Sequence, residues 1–255
     1  MDEIQISYTG HLATITINRP AKLNALTWEM VAALCDGLRT AEGSGTRVIA
    51  LRGAGEHFCA GADIGVEASL NPLDYRRFVE SIQEITLAIR RLPMPVIAAV
   101  DGYAVGGGAE LAVACDWRLA TSRCRIGFPE VTLGISVTSG VTHLLPRLIG
   151  FGRASEMLLT GRLVAAEEAQ AIGLVNRVVP PDELDAAVAE TAAQLARTGP
   201  LAVALQKRAL AVGARSDLPT ALDFETETIH TLFTTADAQE GFAAFLAKRP
   251  PRFQG

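Results

Sequence analysis

Apolar and polar residues alternate over 3–8 (EIQISY) and 11–18 (HLATITIN), with Thr9-Gly10 between them, which predicts a β-hairpin. Asn18-Arg19-Pro20 ends the second strand. The period then changes. Val31, Leu34, Cys35 and Leu38 recur at helical spacing, behind a capping Thr27 and ahead of Gly43-Ser44-Gly45. Residues 48–51 (VIAL) form the continuous apolar run expected of a strand covered on both faces. Beyond the loop GAGEHFCAGADIG, Asp74 opens a second predicted helix, with Phe78, Ile82, Ile85, Ile89 and Leu92 on one stripe. Arg90 and Arg91 suit its C-terminal dipole, and Pro93 stops it. Residues 96–100 (VIAAV) predict another buried strand. Gly106-Gly107-Gly108 leads into a helix over 109–114, and 117–121 and 124–128 predict further strands.

The first half thus alternates strand and helix, which favours an α/β core of parallel strands joined by right-handed crossovers. The last third differs. Helices are predicted over 154–160, 165–171, 182–197, 200–212, 218–235 and 238–247, interrupted by a strand at 174–179. Several of these helices carry apolar faces that need a partner surface. The expected division is a core over 1–195 that holds the site, followed by a helical oligomerisation region over 196–255.

Composition narrows the function. The chain has 255 residues, 49% of them hydrophobic and 20% charged, which excludes intrinsic disorder. A formal charge of −5 and the lack of a basic stripe argue against nucleic acid as a partner. The acidic start MDEIQISYTG lacks the apolar core of a signal peptide, and no long charge-free apolar run predicts a membrane span. Cys35, Cys59, Cys115 and Cys124 form no CxxC pair and no zinc-ligand spacing. They are expected to be reduced, which suits a cytoplasmic location.

Three segments stand out chemically. Gly102 to Glu110 (GYAVGGGAE) follows a buried strand and opens a helix, so its backbone N–H groups face outward at a positive helix terminus. It lacks the Gly-Lys-Ser/Thr of a P-loop and the GxGxxG spacing, and its glycines equally suit close helix–sheet packing. Glu110 in the first helical turn is either a dipole-stabilising residue or a pocket carboxylate beside those N–H groups. Glu130 is the only charge within an apolar stretch, and a buried carboxylate must be paired, wet or functional. Two glutamates in apolar settings suit acid–base work near neutral pH, because burial raises a carboxyl pKa. The third segment, Phe58-Cys59-Ala60-Gly61-Ala62-Asp63-Ile64, has the small residues that allow backbone to approach a ligand. An N–H from here, meeting one from the glycine turn, would form an oxyanion hole. Otherwise the segment is a tight turn with Asp63 as a helix cap. His143, near 138–142, is a weaker pocket candidate.

In combination and in this order, these motifs resemble the enoyl-CoA hydratase/isomerase (crotonase) family. The N-terminal Asn18-Arg19-Pro20 and Lys22-Leu23-Asn24-Ala25-Leu26, the FCAGADI and DGYAVGGGAEL segments, Leu145-Pro146-Arg147-Leu148-Ile149-Gly150, and 169–179 (AQAIGLVNRVV) all share in the resemblance. It implies a crotonase-like spiral of ββα units, a C-terminal helical trimerisation region, and a homotrimer or dimer of trimers. It also implies an acyl-CoA substrate, with coenzyme A entering as part of that substrate and no metal or other cofactor required. The Ala62 and Gly107 N–H groups would polarise the thioester carbonyl. Leu23, Ala25, Ala60, Asp63, Ile64 and Gly65 would contact substrate, and Lys22, Lys248 and Arg249 are candidate phosphate contacts.

Glu110 and Glu130 occupy both acid–base positions of the family's hydratases. The implied reaction is reversible syn addition of water to a 2-enoyl-CoA, giving a 3-hydroxyacyl-CoA. The alternatives on this scaffold are an enoyl-CoA isomerase, a specialised acyl-CoA lyase or dehydratase, and a catalytically silent acyl-CoA-binding paralogue. The chain departs from the family pattern in the loop 137–142 (VTSGVT), which borders the water and acyl region, and at Gly65, where a lysine is common.

Overall fold

The computed structural model describes residues 2–255. Strands β1 (Ile4–Thr9) and β2 (Leu12–Ile17) form the expected hairpin, with Ile4 opposite Ile17 and Thr9 opposite Leu12. Helix α1 (Trp28–Glu42) starts where Thr27 accepts the Met30 N–H, and it buries Met30, Val31, Leu34 and Leu38. Strand β3 (Val48–Gly53) leads through the long loop into α2 (Ile64–Glu67) and α3 (Pro72–Arg91). Helix α3 begins two residues before Asp74. Asn71 accepts the Leu73 and Asp74 N–H groups, and Pro72 occupies the first turn, where its missing donor costs nothing.

Strands β4 (Val96–Val100) and β5 (Tyr103–Val105), helix α4 (Gly107–Ala114), and strands β6 (Trp117–Thr121) and β7 (Arg125–Gly127) follow. Next come α5 (Val141–Ile149), α6 (Phe151–Thr160), β8 (Leu163–Ala165), α7 (Ala166–Ala171) and β9 (Arg177–Val179). Helices α8 (Leu184–Leu195), α9 (Pro200–Gly213), α10 (Leu218–Phe233) and α11 (Ala236–Leu246) complete the chain. Four elements go beyond the sequence pattern: α2, β5, α5 and β8. The first, second and fourth are three or four residues long, too short to show a period, and Pro146 lies inside α5. Strand β9 is shorter than expected, because Leu174 and Val175 are buried in the turn before it.

The main sheet runs β1-β2-β3-β4-β6-β9, parallel throughout except for the first pair. Both faces are covered. Ile49, Leu51, Val96, Ala98 and Val100 join the large core with α1, α3 and α4, while Val48, Ala50, Ile97 and Ala99 pack on Leu184, Ala187 and Val188 of α8. The period of two along β3 and β4 thus feeds two cores. A second sheet, β5-β7-β8, carries the glycine turn at the end of β5. The architecture is the expected α/β one, and the strand-to-helix turns after β3 and β5 meet at one place.

Helices α9 and α10 bury no residue of their own, and Leu210, Leu218, Ile229, Phe233, Phe245 and Leu246 stand more than half exposed along this tail. Lys207 anchors α9 to the core, donating to the Ile89 and Met94 carbonyls and pairing with Asp116 at 2.6 Å. Among the described residues no helix is long and apolar enough to cross a membrane.

Candidate active site

The site begins with a loop stitched on both sides. The Cys59 N–H donates to the Tyr103 carbonyl, and the Val105 N–H donates to the Cys59 carbonyl, both at 3.0 Å, so β5 holds one edge. On the other edge the Leu26 N–H donates to the Gly61 carbonyl at 2.8 Å, and the Asp63 N–H to the Leu26 carbonyl at 2.9 Å. These two bonds flank Ala62, which directs the Ala62 N–H away from Leu26. Gly107 is the first residue of α4, and its N–H has no acceptor within the helix. Neither N–H is taken by a protein acceptor.

The two peptides lie side by side because the chain has no Cβ there. Gly61 sits at φ +93°, and a Cβ on it would stand 2.9 Å from the Gly107 nitrogen. A Cβ on Gly108 would fall 2.0 Å from the Cys59 carbonyl oxygen, so helix and loop approach closely enough to exclude even a methyl. Asn24 ties the loop from below. Fully buried, it donates to the Ala54 and His57 carbonyls at 2.9 and 2.7 Å and accepts the Arg19 N–H at 2.9 Å.

Beside the N–H pair lies a cavity of about 500 Å³ lined by Ala62, Gly107, Glu110, Glu130 and apolar side chains. Glu110 projects from the first turn of α4 and is 1% exposed, while Glu130 comes from the 3₁₀ turn Pro129–Leu133 and is 8% exposed. The Thr138 N–H donates to Glu110 Oε1 at 2.6 Å. Glu110 Oε2 and Glu130 Oε2 are buried with no hydrogen-bond partner, and among the described residues no cation lines the cavity beside either carboxylate. Burial pushes the Glu110 pKa up to about 7, against the pull of the Thr138 N–H and with added repulsion from Glu130 and Glu67. The Glu130 pKa is raised as well, again chiefly by burial. Two carboxyl groups of raised proton affinity therefore face one apolar space next to two free N–H donors. That arrangement can polarise a carbonyl and move protons at the adjoining carbons.

Of the expected contacts, Ala60 and Ile64 line the cavity. Leu23 and Ala25 do not line it: Leu23 is 41% exposed with its carbonyl accepting the Ala60 N–H, and Ala25 is buried. Asp63 and Gly65 lie outside the lining. The Asp63 carboxylate is committed to Arg19 at 2.7 Å and to capping the Gly65 N–H at 2.9 Å, so it serves the turn. His143 does not reach this cavity. It lines a separate basic cleft with Arg90, Arg118, Arg147 and Lys207. Arg249 is held by both oxygens of Glu240, which removes it from the free cations. Among the described residues no group of three or more His, Cys, Asp or Glu is placed to hold a metal ion.

The role of Thr138 within the loop 137–142, and the place of Glu67 and Tyr75 in the lining, escaped the sequence. Thr138 acts through its backbone, which leaves no side-chain signal. Glu67 and Tyr75 sit on α2 and α3, whose packing side at that point the helical stripe did not resolve. The loop 137–142 supplies the bond to Glu110, so its unusual residues belong to the site.

An α/β fold with paired backbone donors and two buried glutamates defines a class of acyl-transforming enzyme. The family model described as enoyl-CoA hydratase/isomerase matches residues 8–255, and the chain belongs to that family. It is 39% identical to a short-chain-enoyl-CoA hydratase of Clostridium acetobutylicum, over 98% of this chain and 96% of that one. It is 40% identical to a crotonyl-CoA hydratase of Syntrophomonas wolfei, over 95% and 94% of the two chains. The crystal structure of an enoyl-CoA hydratase from Bacillus anthracis superposes with a TM-score of 0.97 at 41% identity, covering 100% of both chains.

Proposed function

We propose that this protein is an enoyl-CoA hydratase, adding water reversibly and syn across the double bond of a 2-enoyl-CoA. One observation carries the reading: Glu110 and Glu130 open into a single apolar cavity beside the Ala62 and Gly107 N–H groups. The thioester oxygen sits between those two donors. As the water oxygen bonds to Cβ, electron density moves through Cα to the thioester oxygen, and the two N–H groups stabilise the enolate. Glu110 takes one proton from the water, and Glu130 delivers its proton to Cα. Exchange with solvent then restores Glu130 as the acid and Glu110 as the base. Each oxyanion donor is worth roughly 3–4 kcal/mol in the transition state. The names borne by the two hydratase relatives support the same substrate class.

The experiment is the loss of the enoyl-thioester absorbance of crotonyl-CoA with pure protein. Rapid loss, abolished in Glu110→Gln and Glu130→Gln, supports hydration. Tight binding without turnover, for crotonyl-CoA and for longer and branched 2-enoyl-CoAs alike, would overturn it and favour an isomerase, a lyase or a binding-only paralogue.

Residues 1–195 hold this site, and residues 196–255 provide self-association into a trimer or a pair of trimers. The exposed apolar side chains of α10 and α11 support that reading. The thiols, all free, suit a cytoplasmic location.

A further inference from the structure

Carbonyl binding fixes where the rest of an acyl group must go. With the thioester oxygen at Ala62 and Gly107 and the double bond between Glu110 and Glu130, the chain beyond Cβ fills the remaining cavity. Its walls are Ile64, Tyr75, Val79, Ile82, Leu133 and Val137, with one further charged residue, Glu67. No lysine, arginine or histidine lines the cavity. Glu67 ends the short helix α2, is half-buried, and has neither an ion-pair nor a hydrogen-bond partner for its carboxylate. Three carboxyl groups thus surround one small apolar space. Nothing in the chemistry of hydration requires the third, which comes from the helix after the Ala60–Asp63 loop.

We propose that Glu67 sets acyl specificity, excluding acyl groups that carry a distal carboxylate and selecting uncharged ones. This rests on the acyl-CoA reading of the site. A second carboxylate placed beyond Cβ would approach Glu67 in a cavity without a compensating cation. Like charges that close cost several-fold to many-fold in affinity, and specificity is commonly built from such repulsion. The field of Glu67 reaches the cavity interior, since it raises the proton affinity of Tyr75, Glu110 and Glu130.

The test compares binding of butyryl-CoA and glutaryl-CoA by calorimetry at pH 8, in the wild type, Glu67→Gln and Glu67→Asp. These saturated thioesters read binding without turnover. The wild type is expected to prefer butyryl-CoA by about tenfold or more. Glu67→Gln should shrink that ratio at least threefold, and Glu67→Asp, which keeps the charge, should retain it. Equal binding by the wild type, or an unchanged ratio in Glu67→Gln, would overturn the assignment. If Glu67→Gln lost butyryl-CoA binding, the Asp variant would still decide, because retained charge must mean retained preference. Failure of the wild type to bind either thioester would overturn the acyl-CoA site itself, a different result from equal binding.

Discussion

The Thr138 N–H donates to Glu110 Oε1 at 2.6 Å, joining the loop before α5 to the first turn of α4. The bond fixes the carboxylate from the backbone side. The Thr138 hydroxyl points elsewhere and accepts from Gln83 at 2.8 Å. Thr138→Val should therefore leave kcat for crotonyl-CoA hydration within about threefold of wild type, because an exposed neutral bond is worth about 1 kcal/mol or less. A loss of two orders of magnitude would show that the side chain, not the peptide, positions Glu110.

Burial of Glu110 has a stability consequence. Its folded pKa of about 7 lies above the ordinary value of 4.5, so the folded state binds the proton more tightly. The penalty is absent below about pH 4.5, grows as pH rises, and is complete above about 7. There it amounts to roughly 3 kcal/mol. Glu110→Gln, whose amide oxygen still accepts from Thr138, should raise Tm by several degrees at pH 8 and by almost nothing at pH 4.5. Thermal melts at the two pH values check the sign.

The proposed hydration makes the rate depend on the same proton. In the proposed reaction Glu110 takes its proton from water only when ionised, so kcat/KM for hydration should fall about tenfold per pH unit below 6.5. Glu67→Gln removes one negative neighbour and should move that limb to lower pH. A profile flat from pH 5 to 8 would assign the base elsewhere.

Asn24 holds three backbone groups from two loops. Asn24→Ala leaves the Arg19 N–H and the Ala54 and His57 carbonyls unpaired in a buried place. It also puts a less tolerant residue at φ +59°. About 2–4 kcal/mol of stability should be lost in a denaturant titration. The Ala60–Ala62 peptides should loosen with it, lowering kcat more than affinity for butyryl-CoA.

Neighbouring glycines should behave differently. Alanine at Gly107 meets nothing closer than 3.4 Å, whereas at Gly108 it meets the Cys59 carbonyl at 2.0 Å. Gly107→Ala should fold with near-native Tm. Gly108→Ala should lose about 1–3 kcal/mol, since helix and loop must separate. Similar melts for the two would contradict the close approach.

Much of this was legible in the chain. The hairpin and α1 follow from periods of two and 3.6 and from the caps at Thr27 and Gly43, and β3 and β4 from unbroken apolar runs. Glu110 and Glu130 were visible because each is a charge in apolar company. What escaped has two physical causes. Strands β5 and β8 have three residues each, too few to show a period, whereas α5 repeats Val141, Leu145 and Ile149 at helical spacing and was masked only by the Pro146 inside it. The pairing of Asp63 with Arg19 joins residues 44 apart in sequence, and the Glu110–Thr138 bond joins 28 apart. Those contacts depend on how the loops close, which local pattern does not encode.

The two donors at Ala62 and Gly107 are main-chain groups, whereas the two acids beside them are side chains. A codon change can swap a carboxylate for an amide in one step, but no exchange of side chains short of proline deletes a peptide N–H. The site therefore has a part that point mutation scarcely reaches and a part that each single mutation rewrites. Drift in the second part would change which proton moves, or whether any does, while leaving a thioester still gripped and polarised. This chain can lose its reaction well before it loses its ligand.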